Sequence, residues 1–169
     1  MSQLPAHLRS DCAKCSALCC VVHPFDAAQG FGYNKPAHEP CRHLKPDFLC
    51  AIHASLIDQG FPGCASFDCY GAGQRVTQEH FPGRNWVQSP GIAAQIFDVY
   101  SRVRTLHELM AMLTLAIDRT KSDAARTQLE ESCARLDTMC VDAAAVPDYK
   151  FIGQLKKQTL RLIRESARP

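Results

Sequence analysis

From residue 92 to 117 apolar side chains recur at intervals of three and four: Ile92, Ile96, Val99, Val103, Leu106, Met110, Leu113 and Ile117. This spacing keeps one face of an α-helix apolar along its whole length and predicts a helix from about 90 to 118. Its start is marked by Ser89, whose hydroxyl suits a helix N-cap, followed by Pro90, whose fixed φ suits the first helical position. Ser122-Asp123 is a second such start, and Leu129, Leu136 and Met139 trace a second helix to about 141. A third runs from about 148 to 167, with Phe151, Ile152, Leu155, Leu162 and Ile163 as its apolar stripe. Three amphipathic helices with short connections predict an antiparallel bundle.

Ahead of residue 89 no period is sustained. Pro24, Gly30, Gly32, Pro36, Pro40, Pro46, Gly60, Pro62, Gly63, Gly71, Gly73, Pro82 and Gly83 punctuate the chain too closely for long elements. Short helical turns are predicted at 12–20, where Asp11 can cap, and at 48–59, where Phe48, Ile52 and Leu56 share a face. The rest reads as loop, and no alternation predicts a sheet. Such a stretch needs some other source of order.

Composition supplies the candidate. Of 169 residues, 46% are hydrophobic and 21% charged, which is ordinary for a globular chain, but ten are cysteine. The amino end has no basic segment leading into an apolar run, and no stretch approaches the eighteen or more apolar residues of a membrane span. A cytoplasmic protein with no membrane span is the expectation. There thiols stay reduced, and cysteines serve as metal ligands, redox groups or core residues rather than as a disulfide framework.

Eight of the ten fall between residues 12 and 69: Cys12, Cys15, Cys19, Cys20, Cys41, Cys50, Cys64 and Cys69. Cys12 and Cys15 have the two-residue gap that lets a tight turn present two sulfurs to one ion, and Cys15 and Cys19 are neighbours on a helical turn. Cys20 would point elsewhere, toward a second ion or a bridging position. The other four arrive from separate loops. Eight thiolates suit two tetrahedral sites, one two-metal cluster with bridging sulfurs, or one site with spare thiols, and the spacing does not choose. His23, His43 and His53 stand two or three residues after a cysteine and are substitutes at most. Cys133 and Cys140 share a face with Leu129 and Leu136 and read as core of the second helix.

All-sulfur ligation admits zinc or an iron–sulfur centre. Zinc is expected first, with iron or an iron–sulfur cluster as the alternative, because C-x2-C-x3-C-C matches no ferredoxin run. The expected fold is mainly α: an irregular, metal-stapled Cys-rich module over 1–88 packed on the three-helix antiparallel bundle of 89–169. A thioredoxin-like dithiol would need a strand and a parallel sheet around Cys12-x-x-Cys15. A metal hydrolase would keep an open position with His and carboxylate ligands, whereas sulfur dominates here.

The runs CAKCSALCC (12–20), PCRHL (40–44), CAIH (50–53) and GCASFDC (63–69) together resemble the bacterial YkgJ-type cysteine-cluster family, described as zinc- or iron-chelating domains with a CxxCxxCC signature. The resemblance covers about residues 11–75, with a second gap one residue longer than in the signature. FGYNKPA (31–37) and FDCYGAGQ (67–74) are also similar to domains that precede pentapeptide repeats in some bacterial proteins, although no such repeats occur here. Membership implies metal chelation by the eight cysteines, in a structural or metal-handling role. One relative, flagellin lysine N-methylase, is an enzyme associated with an iron–sulfur cluster. That makes an iron–sulfur enzyme the alternative, with a thiol redox switch as a third reading. No S-adenosylmethionine fingerprint is present, and the balance favours binding over catalysis.

Net charge is +2, and the excess sits at the end of the chain, where residues 148–169 hold six Lys/Arg against two Asp/Glu. Lys150, Lys157, Arg161, Arg164 and Arg168 lie opposite the apolar stripe of the third helix. They read as a solvated face or as a landing surface for an acidic partner. With no aromatic residues interleaved, nucleic acid is not indicated. Tyr33, Phe61, Phe67, Tyr70, Phe81 and Trp86 are expected to pack around the metal-held loops.

Overall fold

In the computed structural model, which describes residues 4–167, helix α4 (Ala93–Arg119) is the axis on which the other elements pack. Two further long helices follow, α5 (Asp123–Thr138) and α6 (Tyr149–Ser166). Each begins as its sequence dictates. The Ser122 hydroxyl accepts from Ala125 N at 3.3 Å, and the Asp148 carboxylate accepts from Phe151 N at 2.7 Å. Ser89 is different: its side chain makes no cap hydrogen bond, and Pro90 opens a 3-10 turn, Pro90–Ile92, that feeds α4.

Two contacts fix the directions of the helices. The Thr120 hydroxyl donates to Ser166 O at 3.3 Å, joining the carboxyl ends of α4 and α6. Arg102, near the start of α4, donates to Val146 O at 2.6 Å and Pro147 O at 3.2 Å, just ahead of α6. The bundle therefore runs up, down, up, with consecutive helices antiparallel. Leu106, Leu109, Met110 and Leu113 of α4 meet Leu129 and Leu136 of α5 and Ile152 and Leu155 of α6, all nearly fully buried. Burial of such a side chain contributes roughly 1.5–3 kcal/mol. Phe151 departs from the expected stripe and is 44% exposed.

Toward its amino end α4 turns a different face to the first half of the chain. Leu8, Leu18, Val21, Val22, Ala72, Val76 and Phe81 join Ile96, Phe97, Tyr100 and Val103 in the same continuous hydrophobic cluster. Among the described residues the first half holds short elements only: α1 (Leu18–Val22), α2 (Pro62–Ser66), α3 (Ala72–Arg75), a widened π turn at Val76–His80, and several 3-10 turns. Pairing between extended segments is limited to isolated antiparallel bridges, Phe25 with Lys35 and Leu44 with Cys50.

Over 48–59, where short helical turns are expected, the chain forms the 3-10 turn His53–Ser55, and Phe48, at a left-handed φ of 65°, stands outside it. The stretch 62–80, read as loop, instead holds α2, α3 and the π turn. On α6, Lys150, Lys157, Arg161 and Arg164 are exposed, and Arg168 lies outside the described residues. No helix among the described residues is long and apolar enough to cross a membrane.

Candidate metal centre

Five short segments deliver the eight cysteines, and each is held by local bonds. The Asp11 carboxylate accepts from Ala13 N at 3.1 Å and nucleates the 3-10 turn Cys12–Lys14; Cys15 N then donates to Cys12 O at 3.2 Å. Ala17, at φ 59°, redirects the chain into α1, where Leu18, Val21 and Val22 insert into the core. That anchoring brings Cys19 and Cys20 out together, with sulfurs 3.8 Å apart.

Cys41 is tied to Cys20 by its own amide, which donates to Cys20 O at 3.1 Å. Between Cys41 and Cys50 the chain doubles back: Leu44 bridges Cys50, Lys45 N donates to Leu49 O and Ala51 N to His43 O. Cys64 rides on α2, started by Pro62 and pinned where Gly63 N donates to Gly30 O at 2.8 Å. Cys69 is fixed from the amino end, since Ser10 Oγ donates to Asp68 Oδ1 at 2.5 Å and lies 3.1 Å from Cys69 Sγ.

All eight line one cavity of about 610 Å³, together with His23, His43 and His53. Cys133 and Cys140 do not. Cys133 sits part-buried on α5, while Cys140 is fully buried just beyond that helix, which ends at Thr138 rather than near 141. As the side chains stand, no three His, Cys, Asp or Glu groups among the described residues are arranged to hold a single ion. The sulfurs share a wall rather than a point.

Strain accompanies the sulfurs. Among the described residues the non-glycine positions at positive φ are Ala17, His38, Phe48 and Tyr70, and each lies within three residues of a cysteine of the cavity. A left-handed non-glycine residue costs roughly 1–2 kcal/mol, and such positions persist only where the surroundings hold them.

Burial also sets the protonation of the wall. It pushes the Cys15 thiol up to about 12 and Cys64 to about 11, and raises Cys12 and Cys50. Within the adjacent pair the contact between the two thiols and burial raise Cys19, while the same contact and the nearby Lys35 ammonium lower Cys20. Burial, Arg104 and Lys35 hold His23 neutral, with its pKa down to about 4. Its Nε2 lies 3.2 Å from the Tyr100 hydroxyl.

Three residues the sequence did not single out complete the surroundings. Tyr100 is fully buried, with its hydroxyl 3.2 Å from His23 Nε2. Arg104 lines the cavity with its guanidinium over the Phe67 ring, 5.2 Å from the centroid. Lys35 is 4% exposed and close to Cys20 and Cys41. The available signal was that Tyr100, Arg104 and His107 interrupt the α4 stripe at helical spacing with polar groups. The aromatic residues behave as expected in part: Phe61 is buried against Tyr33 and His43, whereas Trp86 lies between Phe48 and Phe97 and donates to Ser16 O at 2.7 Å.

The chain is 35% identical over 168 residues to the uncharacterized protein YybG of Bacillus subtilis strain 168, an alignment that takes in 95% of this chain. The chain spans about 60% of the length of that relative. No family model and no solved structure matches it.

Proposed function

We propose that the chain is a metal-binding protein of the cysteine-cluster type, in which Cys12, Cys15, Cys19, Cys20, Cys41, Cys50, Cys64 and Cys69 chelate zinc, or iron as the alternative, in a structural or metal-handling role. One observation carries this: eight cysteines spread over nearly sixty residues of otherwise irregular chain all face one cavity, and the two on the helical bundle do not. Chance burial of small hydrophobes would not sort them so.

The donors fit a soft or borderline ion. Thiolate sulfur selects zinc and iron–sulfur centres over hard cations. A cysteine moves its sulfur among three staggered positions by turning about one bond, so the wall closes on an ion by side-chain rotation. Burial keeps most of the thiols protonated in the free protein, so loading releases protons and weakens as the pH falls. Structural zinc contributes on the order of 10 kcal/mol to folding. That exceeds the roughly 4–8 kcal/mol of strain at Ala17, His38, Phe48 and Tyr70 taken together.

A sulfur-saturated site leaves no open position for substrate, which favours storage, transfer or scaffolding over catalysis. Thiols kept for this purpose belong in a reducing compartment such as the cytoplasm. The exposed cations of α6 suit an acidic partner. The 3.8 Å approach of the Cys19 and Cys20 sulfurs supports a second reading, a thiol switch.

Elemental analysis of the full chain purified without oxygen tests the proposal. At least one zinc or iron per chain supports it. Metal-free protein whose cavity thiols cycle reversibly through disulfides sinks it in favour of the switch.

A further inference from the structure

We infer that Arg104 is the charge-compensating residue of the thiol cavity, supplying positive charge and N–H donors to the thiolates that form there when metal is loaded. This rests on the metal-binding reading above and adds to it how the wall accommodates more negative charge than the ion neutralises.

Thiol ligands lose their protons on loading, so a divalent ion surrounded by thiolates carries a net negative charge. In a cavity lined by Phe31, Ile52, Phe61 and Phe67, that excess is destabilising unless a cation or hydrogen-bond donors face it. The lining offers few groups for this. Its one acidic side chain, Asp11, is paired with Lys14 at 3.3 Å, and its Lys45 is paired with Asp47 at 2.8 Å. Among the described residues Arg104, from α4, is the remaining lysine or arginine of the lining.

The bonding of Arg104 is weaker than that of comparable arginines. Arg102 donates to Val146 O at 2.6 Å and to Asp98 at 2.7 Å, and Arg75 donates to Asp137 at 2.5 Å. The acceptor bonded to Arg104 is Glu108 Oε2, one helical turn on and 3.5 Å from Nη1, at the limit of a hydrogen bond. Nε of Arg104 is buried and has no partner among the described residues. The same holds for Nε of Arg75 and Arg102, but each of those guanidinium groups is anchored by a close carboxylate. A guanidinium kept on the wall of an eight-thiol cavity without a close counter-ion is matched by the charge those thiols acquire.

Packing holds the group on the wall. The guanidinium lies over the Phe67 ring, 5.2 Å from its centroid, and Phe67 stands between Cys64 and Cys69 in the chain. The Phe67 ring is in turn 5.3 Å from the His23 ring, and His23 Nε2 is 3.2 Å from the hydroxyl of Tyr100, one turn of α4 before Arg104. Arg104 is thus fixed between α4 and a cysteine-bearing segment.

The full chain, purified anaerobically and stripped of metal under reductant, is titrated with zinc against a competing chelator as the parent, Arg104→Gln and Arg104→Lys. Arg104→Gln is expected to weaken zinc binding about 10–100-fold, the range found for groups that support metal ligands. Arg104→Lys, which keeps the charge, is expected to recover most of that loss. The urea midpoint of the metal-free protein is expected to hold or rise in Arg104→Gln, because the substitution removes a cation that lacks a close counter-ion. With cobalt in place of zinc, the sulfur-to-metal charge-transfer band is expected at longer wavelength in Arg104→Gln, since the sulfur electrons lose a neighbouring positive charge. Equal zinc affinity in the parent and Arg104→Gln, equal weakening in both variants, an unmoved cobalt band, or a weakening accompanied by a lower metal-free midpoint overturns the inference while leaving metal binding intact. A parent protein that takes up neither zinc nor iron overturns the metal-binding reading itself.

Discussion

Lys35 is a buried cation with no carboxylate among the described residues bonded to it. Its ammonium donates to Val21 O at 3.2 Å, His23 O at 2.6 Å, Pro36 O at 3.0 Å and Glu39 O at 2.7 Å, with the Phe25 ring 4.7 Å away. Val21 and His23 belong to the exit of α1, just after Cys19 and Cys20; Pro36 and Glu39 belong to the loop that delivers Cys41. Lys35 thus clamps two cysteine-bearing segments together. Lys35→Met keeps most of the aliphatic volume and deletes the charge.

Hydrogen bonds to a charged group contribute about 1.5–3 kcal/mol each, and an ammonium has three N–H bonds to give. Against that gross gain stands a desolvation cost of several kcal/mol for burying the ion. Removing the donor also strands buried carbonyls at about 1–3 kcal/mol apiece, partly relieved by water. The net loss expected is about 3–5 kcal/mol. With a urea slope of about 2 kcal/mol/M for a chain of this size, the midpoint falls by about 1.5–2.5 M. Trp86, the only tryptophan, reports the transition by fluorescence, since its indole is bonded to Ser16 O inside the cysteine-bearing half. Both proteins are measured at matched metal content, because a bound ion adds its own stabilisation. A midpoint shift below about 0.5 M would refute the clamp.

Two further outcomes follow from buried geometry. His107 is fully buried on α4; its Nε2 lies 3.4 Å from Arg75 Nη1, which can only donate, so Nδ1 carries the proton and donates to Tyr70 O at 2.6 Å. Burial first, and Arg75 after it, lower its pKa from 6.5 to about 4. The unfolded chain then binds the extra proton below about pH 6.5 and the folded chain does not, so this stability is full above that pH and is lost as pH falls toward 4. Between pH 7.5 and pH 5 the parent protein should lose about 2 kcal/mol more than His107→Gln in urea titrations; equal losses would show the group to be uninvolved. Gly71 sits at φ 76°, and a Cβ there would overlap the His7 carbonyl oxygen, whereas Gly60 at φ 82° has nothing within 4 Å. Gly71→Ala should therefore cost roughly 2–5 kcal/mol, the sum of backbone strain and overpacking, against about 1–2 kcal/mol for Gly60→Ala. Thermal denaturation of both compares them directly, and similar costs would mean that the carbonyl moves aside freely.

The helical half was legible because helix signals are local. A stripe at three- and four-residue spacing, as in α4, and a cap such as Ser122 or Asp148, act within a few residues of one another. The departures are local in extent: Ser89 precedes a 3-10 turn that starts at Pro90, Phe151 stays 44% exposed beside the buried Ile152 and Leu155, and Phe48, at a left-handed φ, lies outside the 3-10 turn His53–Ser55.

Cysteine identity, count and placement were likewise readable from residue types alone, including the exclusion of Cys133 and Cys140 from the cavity. Their grouping was not. Which sulfur faces which depends on contacts between segments forty to sixty residues apart, such as Gly73 between Cys15 and Cys69 or Cys41 bonded to Cys20, and no periodicity encodes these. Arg104, Tyr100 and Lys35 escaped notice for the same reason, since each looks ordinary until the fold buries it beside the thiols. The sequence by itself determined the long helices and marked out the eight cysteines, because helix periodicity is local and residue type is read directly. Only the tertiary structure decided the cavity, because α1 and α3 are seated on α4 while the segments of Cys41, Cys50 and Cys64 are held by bonds to one another and to α1, such as Cys41 N to Cys20 O and Gly63 N to Gly30 O.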